Sequence, residues 1–185
     1  PAATELATKL HAALSVAGSA AEAESFAQTW LKDHPKDARF RLYLAEGATA
    51  RKDFAAAAKL YRGLLEAQPD SVALLNNLAW VAGHLKDPKA IEYAEKANKL
   101  APKQPAVMDT LGVLLVDKGD QARGLALLKE AVELAPEVAP IRLNYAKALI
   151  KAGQKNEARS ELEQLAKLGE KFAAQAEVAA LLKEL

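Results

Sequence analysis

Pro35, Pro69, Pro102 and Pro136 stand 34, 33 and 34 residues apart, and the apolar and small residues between them recur in the same phase. A Pro cannot continue a helix, so a period near 34 that closes on Pro predicts an array of helix–turn–helix units. Each unit of such an array buries its apolar face only against its neighbours, which offers a long surface and no enclosed reaction chamber. The chemistry expected of this chain is therefore holding other molecules.

The other residues fall into register with the prolines. In the first helix of each unit a large position reads Leu10, Leu44, Leu78, Leu111 and Tyr145, followed by His11, Ala45, Ala79, Gly112 and Ala146. In the second helix a small position reads Ala23, Ala57, Ala90, Gly124 and Ala158, and seven residues on come Trp30, Leu64, Ala97, Ala131 and Leu165. Small residues let antiparallel helices approach, and large ones fill the grooves left between them. Turn signals separate the helices at Gly18-Ser19, Lys52-Asp53, Lys86-Asp87-Pro88, Gly119-Asp120 and Gly153-Gln154. Ser19 with Glu22 has the spacing of a capping box, and Asp87 before Pro88 reads as a cap ahead of a first-turn Pro. Leu44 to Leu78 is 34 residues but Ala57 to Ala90 is 33, so the shortened unit loses its residue between Leu78 and Ala90, where a loop tolerates it.

Helices are expected at 4–17, 20–33, 38–51, 54–67, 72–85, 88–100, 105–118, 121–134, 139–152 and 155–168. A final amphipathic helix is expected over Phe172–Lys183, apolar at Phe172, Ala176, Ala179, Ala180 and Leu182, to cover the last unit. No strand-like alternation occurs. With 25 basic and 24 acidic residues the net charge is +1, which gives no general attraction to nucleic acid or anionic lipid. No apolar run reaches membrane-spanning length, and the absence of Cys excludes disulfides and thiolate metal sites. The start Pro1-Ala2-Ala3-Thr4 lacks the charged-then-apolar pattern of a signal peptide, and without an initial Met the chain reads as an excerpt of a longer array.

No catalytic, cofactor or metal constellation is expected. His11, His34 and His84 lie in different units without a second His at ligand spacing, and His11 reads as a packing variant. The glycines sit at turn or packing positions and form no phosphate loop.

The run Leu44-Ala45, Asp53-Phe54, Ala57, Tyr61, Pro69, and again Leu111-Gly112, Gly119-Asp120, Ala131, Pro136, resembles the tetratricopeptide repeat (TPR) family. The resemblance covers about residues 4 to 170, departing from the pattern at His11, Ala27 and Glu170. It implies an all-α, right-handed superhelical TPR solenoid of about five repeats, at 4–37, 38–71, 72–104, 105–138 and 139–171, with a capping segment at 172–185. It also implies a non-catalytic scaffold that binds a protein or peptide on a concave face lined by the first helices. Counting inward positions from the repeat phase gives Leu42, Tyr43 and Glu46; Asn76, Asn77 and Trp80; Asp109, Thr110 and Val113; and Leu143, Asn144 and Lys147, extended by His84, Asp117 and Lys151. Trp80 is the sharpest candidate, since exposed Trp is costly in water and common among binding hot spots. The competing reading packs Trp80 against the neighbouring unit's second helix.

Two specialised modes fit poorly. The carboxylate-gripping TPR pattern of Lys, Asn and Arg meets Leu42 and Glu46, then Asn77, then Ala106 and Thr110, and only Asn77 matches. The base-reading positions of the related pentatricopeptide family fall on Thr8, Leu42, Asn76, Asp109 and Leu143, where two leucines cannot read a base edge. No nucleic acid partner is expected.

A narrower similarity rests on Leu75-Asn76-Asn77-Leu78-Ala79-Trp80, Ala94-Glu95-Lys96-Ala97 and Asp109-Thr110-Leu111-Gly112. These are similar to the C-terminal repeats of bacterial TPR lipoproteins that accompany PEP-CTERM sorting and exopolysaccharide export. That similarity implies a periplasmic or envelope-associated scaffold for polysaccharide or protein export. The alternatives are a cytoplasmic adaptor or assembly factor, or the substrate-binding or regulatory part of a larger glycosyl-transfer enzyme.

Overall fold

The computed structural model describes residues 2–185, which form eleven α-helices, one short 3₁₀ turn and no strand. It divides into two compact units, Pro1–Pro69 and Asp70–Leu185. In the first, α1 (Ala2–Val16) pairs with α2 (Ala20–Asp33) and α3 (Ala38–Ala50) with α4 (Phe54–Ala67). In the second, α5 (Val72–His84) pairs with α6 (Ala90–Leu100), α7 (Pro105–Lys118) with α8 (Gln121–Leu134), and α9 (Ala139–Lys151) with α10 (Lys155–Ala166). Within that unit α5, α7 and α9 also pack on one another in succession, and α11 (Gln175–Glu184) closes on α10. None of the described helices is long and apolar enough to cross a membrane.

The small residues of the repeat do the work their positions imply. Ala23, Ala57, Ala90 and Ala158 are buried, as are Ala45, Ala79 and Ala146 across from them. At Gly124 a Cβ would lie 2.6 Å from the Gly112 carbonyl oxygen and 2.9 Å from the Val116 nitrogen, so α7 and α8 meet backbone to backbone. The large partners Leu64, Leu78, Leu111 and Leu165 are buried beside them.

Each hairpin turns at a residue with positive φ, at Gly18, Lys52, Lys86, Gly119 and Gly153, so the left-handed position itself repeats. Gly accepts that conformation freely, whereas an L side chain is strained by the clash of Cβ with the backbone. At two of these turns the next residue is an Asp that caps the second helix: Asp53 Oδ1 accepts from Ala56 N at 3.1 Å and Asp120 Oδ1 from Arg123 N at 3.4 Å.

Several expectations at element ends are corrected. Ser19 makes no side-chain cap, so the capping box with Glu22 does not form. Asp87 Oδ1 accepts instead from Lys89 N at 2.9 Å, and α6 begins at Ala90 and not at Pro88. The residue missing from this unit has therefore cost α6 its first turn. The final helix is preceded by a 3₁₀ turn at Gly169–Lys171 and starts only at Gln175. Its phase shifts accordingly: Val178 is buried with Leu181 and Leu182 beside it, while Ala176, Ala179 and Ala180 are exposed. The larger side chains gain more from leaving water than alanine methyls do. Gln175 Nε2 donates to the Leu165 carbonyl at 2.7 Å, supplying a partner at the end of α10.

Leu10 was expected to fill a groove but is 47 % exposed, and Leu6 is 70 % exposed. One repeat on, Phe40, Leu74, Val107 and Ile141 occupy the position of Leu6 and are all buried. Among the described residues no hairpin lies ahead of α1 to cover it. His11 replaces the small residue with a packed aromatic: Nδ1 is hydrogen-bonded to the Tyr43 hydroxyl at 2.9 Å, and the ring stands edge-on to Phe40 and Tyr43. Burial, with the Arg51 charge adding to it, lowers the His11 pKa and favours the neutral ring.

Two substitutions with opposite signs test this construction. Lys52→Gly should stabilise the chain by about 1 kcal/mol, because the left-handed turn no longer strains a side chain. Gly124→Ala should destabilise by about 2 kcal/mol despite the better helix propensity of Ala, because backbone must move to admit the methyl. Urea unfolding of both variants measures the two shifts.

Candidate functional site

The first helices of the second unit bring nine of the expected residues to one groove, Thr110 of α7 among them as a largely buried part of its floor. Trp80 and His84 come from α5, Asp109, Val113 and Asp117 from α7, and Asn144 and Lys147 from α9, around a hollow of about 330 Å³. Lys151 joins Val113, Asp117, Asn144 and Lys147 in an adjoining hollow of about 190 Å³. The reason is the repeat: Trp80, Val113 and Lys147 hold equivalent positions, as do His84, Asp117 and Lys151, and equivalent positions on adjacent first helices lie side by side.

Trp80 is 41 % exposed, so the reading that buries it against a neighbouring helix is set aside. Its ring meets His84 edge-on at 4.2 Å, which fixes the indole as part of the groove wall. Asn76 and Asn77 lie nearer the start of α5, half-buried, and do not line the groove. Thr110 and Leu143 are buried; Thr110 Oγ1 donates to the Ala106 carbonyl, and Leu143 packs with Leu162, Leu165 and Val178. Tyr43 and Glu46 belong to the first unit, where Tyr43 is occupied by His11 and Glu46 is exposed.

The groove's charges are largely matched. Lys151 Nζ donates to Asp117 Oδ1 at 2.7 Å, and Lys147 pairs with Glu177 of α11. Asp109 differs: Asn144 Nδ2 donates to both its carboxylate oxygens, at 2.9 and 3.2 Å, and no cation is paired with it among the described residues. Burial pushes the Asp109 carboxyl up to about 6, and the Asn144 bonds offset only part of that rise.

Gly83 and Leu114 line the groove although the repeat phase did not nominate them, and Glu177 bears on it only through its pair with Lys147. Glu177 sits on the capping helix, whose register against α9 is not set by the repeat. Gly83 lies so close to Leu114 that a Cβ there would fall 2.5 Å from Leu114 Cδ2, which deepens the floor. A mid-helix Gly was the one available signal. Gly83, Leu114 and Asp117 also border a hollow of about 390 Å³ with Lys86, Asp87, Pro88 and Ile91, beside the shortened start of α6. Among the described residues no group of three or more His, Asp or Glu can hold a metal ion.

Residues 115–185 match the tetratricopeptide repeat family. A tetratricopeptide repeat protein from Parabacteroides merdae superposes with a TM-score of 0.82 over 99 % of this chain and 72 % of its own, at 17 % identity. The chain has the TPR fold. YrrB, a TPR protein with an unusual peptide-binding site, superposes with a TM-score of 0.65 over 97 % of this chain and 91 % of its own, at 18 % identity. The protein FlbA of Caulobacter vibrioides is 32 % identical over 108 residues, 58 % of this chain and 18 % of FlbA. The chain thus spans less than a fifth of the length of the curated relatives it matches.

The state of Asp109 makes stability depend on pH. An unfolded chain titrates this group near 3.8, so between there and about 6 the folded state holds more protons than the unfolded one. Stability from this site is therefore full below about pH 4, falls as pH rises, and is lost by neutrality, a difference of about 3 kcal/mol at most. Asp109→Asn should match the wild type near pH 4 and exceed it above about pH 6, measured as the difference in urea unfolding free energy across pH. His84, Asp117, Lys147 and Lys151 are common to both proteins and cancel in that difference.

Proposed function

We propose that this TPR chain is a non-catalytic interaction scaffold that binds a peptide or protein segment in the groove of α5, α7 and α9. The observation that carries the reading is Trp80: a large indole held on a groove wall in partial contact with water, flanked by Val113 and by polar groups of two further helices. Apolar area left in water at such a wall is the kind that a partner recovers on binding, and Trp is enriched among the residues that dominate interface energies. Asn144, Lys147, His84 and Asp117 supply a polar rim that can bond a backbone or orient side chains. The likeness to YrrB, whose description names a peptide-binding site, supports the same reading by analogy of fold.

The setting we infer is a bacterial envelope, in polysaccharide or protein export, on the strength of the Asn76-Asn77-Leu78-Ala79-Trp80 and Asp109-Thr110-Leu111-Gly112 similarity to export-associated TPR lipoproteins. Fractionation of the source bacterium, followed by blotting for the full-length protein, tests that setting; an exclusively cytoplasmic protein would favour an adaptor role.

Trp80→Ala should weaken binding of any groove partner at least tenfold, a loss of about 1.4 kcal/mol or more, while the helical circular-dichroism signal and Tm barely change. A large fall in Tm on that substitution would make Trp80 a core residue and remove the basis of the assignment.

A further inference from the structure

Three of the groove's charged groups are already answered from within the protein, and one is not. Lys151 is bonded to Asp117, and Lys147 to Glu177, so neither pair presents a net charge. The Asp109 carboxyl sits half-buried in the same groove with the neutral Asn144 amide as its partner. A carboxylate in that position is held out of water without the counter-charge that would compensate its lost hydration. Across the same hollow stands the Trp80 indole, 41 % exposed. An aromatic face attracts a cation, and more strongly when the cation is drawn out of water. Carboxylate and indole in one hollow thus complement a single positive charge carried on an apolar stem.

We propose that the groove recognises a basic peptide segment, seating one Lys or Arg side chain between the Asp109 carboxylate and the Trp80 indole. This rests on the reading of the groove as a peptide site and adds the chemistry of the peptide. The stem of the cationic residue lies over Val113, and the two bonds from Asn144 hold the Asp109 carboxylate in one orientation while each oxygen keeps further lone pairs for the head group. The neighbouring hollow at Pro88, Ile91 and Leu114, continuous through Gly83 and Asp117, receives an apolar residue of the same peptide. An acidic segment is disfavoured, since it would bring like charge to a carboxylate with no cation to mask it.

The test is a random peptide library displayed on phage and selected on the intact chain. Selected peptides should carry Lys or Arg at one fixed register. Asp109→Asn should weaken them at least tenfold, whereas Glu163→Gln, on the exposed face of α10, should leave them unchanged. Replacing the fixed Lys or Arg of a selected peptide by Gln should cause the same loss, and this arm reads the contact without altering the protein. Enriched peptides that need Trp80 but carry no fixed basic residue, or that ignore Asp109→Asn, would overturn the cation proposal and leave the groove reading standing. Recovery of no peptide sensitive to Trp80→Ala would overturn both.

Discussion

The structure depends on how closely two helix backbones can approach at the small positions of each hairpin. Between α7 and α8 that approach is so tight that Gly112 and Gly124 leave no room for a methyl on either side. In the other hairpins Ala occupies the same places and is buried, except that His11 stands opposite Ala23 in the first. Close packing of this kind forces both helices into one relative phase, because any rotation would drive larger side chains into the gap. With that phase repeated every 33 or 34 residues, the first helices of successive hairpins in the second unit lie side by side with their faces aligned. A surface of rows results, and the groove is two such rows with Asp109 and Asn144 from the adjoining ones.

A scaffold built this way separates its framework from its chemistry. Alanines, glycines and leucines at the contacts hold the hairpins, while residues on the inner turns of the first helices can vary without disturbing them. In the second unit the variation has produced Trp80 beside Val113 and Lys147, and His84 beside Asp117 and Lys151. Neighbours within a row can pair directly, as Lys151 does with Asp117 across one repeat. Asp109 and Asn144 pair on the diagonal between rows and leave the carboxyl in a drier place than its neighbours. A desolvated carboxyl bonded to an amide is costly to keep ionised, and a group that costs stability while facing a groove is more readily understood as serving a ligand than as serving the fold.

Much of this was legible in the chain itself. The hairpins, their turns and the helix pairs follow from positions that recur at a fixed spacing, and the rows that face the groove follow by counting from them. Local patterns mislead where their surroundings override them. Ser19-Glu22 has the letters of a capping box but forms none. Asp87-Pro88 looks like a helix start, yet the lost residue displaced that start to Ala90. In the final segment Phe172 and Leu182 pack inward as their spacing implies, but Val178 and Leu181 take the place of the alanines on the buried side. Leu10 and Leu44 share a repeat position but differ in burial, because burial depends on what packs against the position and the position alone does not state that.

The sequence by itself determined the all-α class, the hairpin period and the membership of each row, because helical phase and backbone turn chemistry are local and repeat with the residues that encode them. Only the tertiary structure decided that Trp80 faces the groove, that Asp109 is half-buried and bonded to Asn144, and that Glu177 of the capping helix reaches Lys147. Those facts depend on how deep one helix sits beside the next and on the register of a helix outside the repeat. Depth and register arise from the packing of side chains many residues apart, and no spacing along the chain records them.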